Sequence, residues 1–453
     1  MLASTLHGAD WSALGAEALG HLQNLLRIDT SNPPGNEAPA AAYLERVLRA
    51  EGIPCEIIES APGRANLFAR LDGGNPRGGL ILSSHLDVVP AEPELWKHPP
   101  FGGEVHDGCI WGRGAIDMKH FTINSLMTVI LLKRLRLPLV RDVVFAAIAD
   151  EEAGMDFGSA WLVDNRPDLL QGEYCLTEGG GATGYVGNRP LYTIQAAAKG
   201  VAWLRVSTTG APGHGSMPHA DNAVVRLGRV LARLGTRPLP FDLRPSVRTY
   251  LAGLAGVSGW RQRLALHLAT VPFSSEIALR HGALGERVRA LRALLRNTVS
   301  PTGLTAGHKE NVIPSRASAI LDGRLLPGTP VEEFLRQIRA IAREELDIEI
   351  LRTIPAVVQE FESPLYDVIA QVVKEQHPGC AVVPGVLTGL TDAAQFQRLG
   401  LRTYGFAPLK IPPDFPYNRL FHGHDERIPV EGFLWGLQTL FEAVRRFCAP
   451  SAP

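Results

Sequence analysis

The sequence predicts an α/β fold, a mixed and mostly parallel sheet flanked by helices and interrupted by a smaller α+β domain. Three observations carry this expectation. Short apolar runs alternate with helical stretches through the first part of the chain, the pattern of strands crossed over by helices. At 453 residues the chain exceeds the size at which one hydrophobic core keeps growing, so two domains are expected. The texture then changes at Lys199-Gly200, where VAWLRVSTTG alternates as a half-buried strand does.

In order, an amphipathic helix is expected from about Trp11 to Arg27, then the Pro/Gly loop SNPPGNE, then a helix through AAAYLERVLRAEG closed by Gly52. Strands are expected at PCEIIE, NLFARL, GLILSSH, DVVFAAIAD and EYCLTE, with helices between Asp117 and Leu137 and over SAWLVDN. After Lys199, a loop GAPGHGS runs into an amphipathic helix, followed by an Arg- and Leu-rich helical stretch from about Pro240 to Asn297. NVIPSRASAILDGRLLPG reads as two strands, VEEFLRQIRAIAREE as a helix, and VEGFLWGLQTLFEAVRRF as the closing helix. The expected division is 1–198, an inserted domain over 199–356, and 357–453, which rejoins the first.

Composition narrows the function. Hydrophobic residues make up 45% and charged residues 20%, an ordinary globular balance. The net charge of −1 and the lack of a long basic run argue against a nucleic-acid partner. Five cysteines, odd in number and without CxxC spacing, read as free thiols of a reducing compartment. The first residues show no basic-then-apolar leader, and runs such as LMTVILL are too short to cross a bilayer. A cytoplasmic protein with no membrane partner is expected.

Chemistry concentrates where strands are expected to end: His85 in SSHLDVVP, Asp117 in GRGAIDMK, Glu151 and Glu152 in ADEEAG, Glu178 in TEGGG and His422 in HGHDERIP. In a parallel sheet such ends converge on one crevice. Imidazole and carboxylate form a ligand set that suits zinc. Taken singly, each residue also fits a plain hydrogen-bonding role, and adjacent glutamates also fit the solvated start of a helix. Asp87 can hold the second nitrogen of His85. GGGATG lacks the Lys-Ser/Thr pair of a phosphate loop, and no GxSxG elbow is present.

With GAPGHGS, NVIP, DGRLLPG and TDAAQF in the same order, these motifs resemble the aminoacylase, carboxypeptidase G and succinyl-diaminopimelate desuccinylase family of co-catalytic zinc hydrolases. The resemblance implies a zinc-exopeptidase-like fold with an inserted lid domain, through which relatives form homodimers. It implies two Zn²⁺ per subunit, replaceable by Co²⁺ or Mn²⁺ because carboxylate-rich sets do not enforce one metal. Asp117 would bridge them, with His85 and Glu178 on one ion, and Glu152 and His422 on the other; His424 competes with His422. A non-proline cis peptide after Asp117 is also implied. Glu151 would be the general base for a metal-bridging hydroxide attacking an amide carbonyl. His214 would steady the oxyanion, reaching into the neighbouring subunit in dimeric relatives. Asn311 and Arg324 resemble substrate-binding residues, Arg324 suiting a carboxylate. The substrate implied is an N-acyl amino acid or a carboxy-terminal peptide bond. A dipeptide, a carbamoylated amine, or a catalytically inactive ligand-binding relative are the alternatives. TDAAQF carries Ala394 where many relatives have arginine, which alters carboxylate recognition.

Overall fold

The computed structural model describes residues 5–6, 9–280, 284 and 287–449. The chain divides into two compact units, Met1–Ala196 with Gln359–Gly385 and Thr391–Pro453, and Ala197–Val358 with Val386–Leu390.

The first unit is built on strands β1 (Cys55–Ala61), β2 (Arg64–Leu71), β3 (Leu80–His85), β4 (Val143–Ile148), β5 (Tyr174–Thr177), β6 (Thr183–Val186), β7 (Arg189–Ala198), β8 (Ala381–Leu387) and β9 (Arg402–Gly405). Across the sheet they run β6-β7-β9-β5-β3-β4-β2-β1, with β8 also pairing β7. The four central strands, β9, β5, β3 and β4, are mutually parallel. The flanks are antiparallel because tight turns join their strands: Gly63 (φ 78) connects β1 to β2, and Gly187 (φ 59) connects β6 to β7. β3 and β4 are buried at every residue, as strands covered on both faces must be.

The helices of this unit are α1 (Trp11–Leu26), α2 (Ala38–Ala50), α3 (Lys119–Arg134), α4 (Ser159–Asn165), α5 (Pro364–Gln376) and α6 (Val430–Cys448). Asp10 caps α1 by accepting from Ser12 N and Ala13 N, and Gly52 in the left-handed region (φ 63) follows the end of α2. α3 is buried from Lys119 to Leu132 and packs on α6, α1 and β3, a central helix covered on all sides although it carries polar residues such as Lys119, His120 and Asn124.

The second unit has a four-stranded antiparallel sheet in the order Thr298–Ala306, Arg316–Leu325, Gly200–Thr209, Asp347–Ile354. Helices Ala223–Thr236 and Val331–Ala342 cover it, burying Leu227, Val230, Phe334 and Ile338. The sequence reading omitted the two edge strands. One carries Pro301 at a register shift, and the other is mostly exposed, so neither shows the alternation that marks a half-buried strand. The stretch from Pro240 to Asn297 is several helices, Pro245–Val257, Trp260–Ala269, Pro272–Arg280 and Val288–Leu294. Gly259 and Pro272 stand at two of the breaks. Residues 281–283 and 285–286 of that stretch lie outside the described residues.

Candidate metal centre

Three neighbouring parallel strands deliver the polar groups. β3 ends on His85, which is in register with Ile148 at the end of β4, and β4 leads directly into Asp150, Glu151 and Glu152. β5, on the other side of β3, leads into Glu178. Gly179 then turns the chain with φ 97, and a Cβ there would lie 1.7 Å from Gln195 Oε1, so a side chain is excluded. Asp117 arrives at the start of α3, and the Asp117-Met118 peptide is cis. His422 follows the short helix Tyr417–Leu420 and adopts φ 55, an uncommon conformation for a residue with a side chain.

These residues meet. His85 Nε2 lies 3.0 Å from Asp117 Oδ1 and 3.8 Å from Glu178 Oε2. His422 Nε2 lies 3.2 Å from Asp117 Oδ2 and 3.3 Å from Glu152 Oε1. The last approach is close enough for an ion pair but misaligned for a hydrogen bond, leaving Glu152 Oε1 buried without a donor. Two triads have donor atoms within 4.8 Å of one another, His85 with Asp117 and Glu152, and His85 with Glu151 and Glu178. The structure thus brings His85, Asp117, Glu151, Glu152, Glu178 and His422 into one cluster.

Four carboxylates in so small a volume repel. Burial, then repulsion from Asp117, pushes Glu178 up to about 8. Burial, then Glu178, raises Glu151 well above the carboxylate range, and burial raises Glu152 against the pull of His422. His422 is pushed up to about 10 by Asp117 and Glu152, whose carboxylates face its ring. Burial opposes protonation of His85, but Asp117, Asp87 and Glu178 override it and raise the imidazole. All five shifts mean that the folded protein without cations holds protons that the unfolded chain releases. Stability of that form therefore falls as pH rises, through the carboxylate window from 4.5 to about 8 and the His422 window from 6.5 to about 10. Cations displace those protons. The gain in melting temperature on adding Zn²⁺ is expected to be larger at pH 8 than at pH 6; scanning fluorimetry with and without chelator measures it.

The model of peptidase family M20/M25/M40 matches residues 81–446. The chain belongs to the M20 peptidase family. It is 29% identical to aminoacylase-1 of Sus scrofa over 422 residues, covering 91% of this chain and 90% of the relative. Among solved structures, an M20 family metallo-carboxypeptidase from Sulfolobus solfataricus matches with a TM-score of 0.70 at 20% identity, over 95% of this chain and 99% of the other. A dinuclear metal-binding peptidase of the family from Bacillus subtilis matches with a TM-score of 0.60 at 14% identity, over 95% and 98%. This M20 chain is a hydrolase of amide or peptide bonds.

Further residues position the cluster in this M20 hydrolase, and Asp87 is the chief of them. Its main-chain oxygen, rather than its carboxylate, takes His85 Nδ1 at 2.9 Å; the carboxylate stands 3.6 Å away. That carboxylate instead accepts from Glu151 N and Glu152 N, both at 3.1 Å, so one buried group fixes the backbone of both glutamates. Asn32, in the SNPPGNE loop, donates to Asp87 Oδ2 and to Asp150 Oδ1, both at 2.9 Å. Arg64 ties Asp150 to Glu37. The sequence reading passed over Asn32 and Asp150; the only signals were a polar residue beside prolines and a third acid ahead of the glutamate pair.

Glu426 was also missed. It accepts from Ile116 N at 2.6 Å, Asp117 N at 3.2 Å and Gly114 N at 3.2 Å, and forms a buried pair with Arg113 at 2.7 Å. It therefore sets the backbone that carries Asp117. Removing one partner of a buried ion pair leaves the other uncompensated. Glu426→Ala is expected to lower the free energy of unfolding by about 3–5 kcal/mol, measured by urea titration.

The remaining expected residues belong to the second unit. Gly213 and His214 pair with Ile313 and Val312, and Gly215 N donates to Asn311 O at 2.8 Å, so His214 and Asn311 lie on adjoining paired segments. His214 Nδ1 accepts from Ser216 N at 3.2 Å, which puts the ring proton on Nε2 and makes that edge a donor. Arg324 Nε and Nη2 donate to Asp322 at 2.8 and 3.0 Å, leaving the opposite edge of its fork to meet a ligand. Ala394 is fully buried in the short helix Ala393–Phe396. Among the described residues no helix is long and apolar enough to cross a membrane.

Proposed function

We propose that this M20 chain is a dinuclear zinc amidohydrolase that cleaves the amide of N-acyl amino acids, with carboxy-terminal peptide bonds as related substrates. The observation that carries the reading is Asp117, whose two oxygens face different imidazoles, His85 and His422. A carboxylate shared in this way suits two cations. His85 and Glu178 would hold one ion, Glu152 and His422 the other, with Asp117 common to both. Zinc is the first choice for imidazole with carboxylate; Co²⁺ or Mn²⁺ fits the same oxygens.

Bound there, the ions supply Lewis acidity and lower the pKa of water toward neutrality. Glu151 would take the proton of the attacking water and return it to the leaving nitrogen, a task suited to a carboxylate beside the cluster whose backbone Asp87 holds in place. His214, donating from Nε2, would steady the oxyanion. Asn311 and the outer edge of Arg324 would hold the substrate carboxylate. Ala394, in place of an arginine, would alter how the substrate carboxylate is held.

The second unit would act as lid and homodimer contact. Its exposed Trp260 (72%), Phe273 (86%) and Ile277 (60%) support an apolar contact between copies. The five free cysteines support a reducing, cytoplasmic setting. Metal analysis with hydrolysis of an N-acyl amino acid panel, with and without chelator, tests the reading. Chelator-sensitive release of free amino acid is expected; bound zinc with no amide turnover on any member overturns it.

A further inference from the structure

Away from the carboxylate cluster, a second set of nitrogen and oxygen donors converges in the first unit. His98, Glu104 and His106 each offer a donor atom, and these atoms lie within 4.8 Å of one another. Glu104 and His106 occupy alternate positions of the short strand Glu104–His106, so both point to the same face of it. His106 Nε2 lies 2.7 Å from Glu104 Oε2. His98 comes from the preceding loop and stacks on His106, with ring centroids 3.7 Å apart and planes 9° from parallel.

Packing holds both imidazoles in place. The His98 ring meets Trp111 edge to face at 4.6 Å, and Trp111 Nε1 donates to His106 O at 3.2 Å. The Arg427 guanidinium sits 4.3 Å from the Trp111 ring centroid. Face-to-face imidazoles aim their lone pairs along parallel lines, so the two rings would turn out of this stack to share an ion, while Trp111 keeps both segments close. We propose that His98, Glu104 and His106 form an additional binding site for a divalent transition-metal cation, Zn²⁺ in the first instance.

The donor set decides the class of ion. Two imidazoles and one carboxylate are borderline-soft ligands that suit zinc, copper or nickel, whereas calcium and magnesium take oxygen. His106 and Glu104 keep 37% and 43% of their side-chain surface exposed, so water can fill the fourth position. An ion there would tie the loop through His98 to the three-stranded sheet of Glu104–His106, Cys109–Trp111 and Arg427–Pro429. The same loop is pinned from the other side, where Lys97 N donates to Asp425 Oδ1 at 2.7 Å. Asp425 adjoins Glu426, which holds the Asp117 backbone. The ion would thus fasten the segments from which Asp117 and His422 project, a structural role rather than a catalytic one.

The full chain is loaded with Zn²⁺, freed of excess by gel filtration and analysed for metal, beside His98→Ala/His106→Ala and His106→Gln. The wild-type protein is expected to hold one more equivalent than either variant, and to melt higher than they do in zinc but not in chelator. Reading the difference between proteins makes the result independent of how many ions the carboxylate cluster takes. Should the double variant misfold, His106→Gln alone decides. Equal metal content in wild type and variant overturns the proposal.

Discussion

Glu151→Gln is expected to retain the metal content of the wild-type protein and to lose about a hundredfold to ten-thousandfold in kcat, the range a positioned proton carrier supplies. Gln preserves the shape of the side chain, and the backbone of residue 151 stays held by Asp87 Oδ1. What it removes is the ability to accept and return a proton. In the cation-free protein, burial and then the nearby Glu178 raise the proton affinity of Glu151. The geometry also supplies a rival. Glu151 stands within ligand distance of the same space as His85 and Glu178. Were it a ligand, Gln would cost an equivalent of metal along with activity. Metal analysis and kcat on one preparation separate the two: activity lost with metal kept supports the base, and loss of both makes Glu151 a ligand.

The part of this molecule legible in its sequence is the part with local patterning. β3 and β4 are continuous apolar runs bounded by polar residues, and their carboxyl ends follow at once from the parallel arrangement. His85, Glu151, Glu152 and Glu178 therefore stand where a sheet of that kind must put them. His422 is a different case. Nothing local distinguishes it from His424, and only the resemblance favoured it; in the structure it is the His422 imidazole that meets Asp117 and Glu152. Glu426 was illegible because HGHDERIP looks like a solvated charged turn, while Glu426 itself is buried at 1% exposure and bonded to a segment 310 residues earlier. Such a pairing leaves no periodicity. Asp87 shows a subtler limit: proximity to His85 is evident two residues away, but which of its oxygens does the work depends on a loop from the next strand.

Asp117→Asn is expected to abolish measurable amide hydrolysis and to weaken both cations, whereas His422→Ala weakens one. The reasoning rests on where the two oxygens point. Oδ1 faces His85 and Oδ2 faces His422, so each half of the cluster depends on the same carboxylate. The His422 and His85 imidazoles hold Asp117 far below the usual carboxylate range and keep it charged despite its burial. Asn supplies one carbonyl oxygen and an amide nitrogen that cannot donate electrons to a metal, so one half loses its shared ligand and the other loses the charge. Backbone placement should survive, because Glu426 binds the amide of residue 117 and not its side chain. Removing the His422 ring instead leaves His85, Asp117 and Glu178 in place for one ion. Zinc titration by calorimetry on the His106→Gln background, which leaves only the carboxylate cluster, reads the contrast directly: Asp117→Asn alters both binding steps, and His422→Ala alters one. An Asp117→Asn protein with two undisturbed binding steps would show that the carboxylate between the imidazoles is not shared, and that the cations, if two, are held independently.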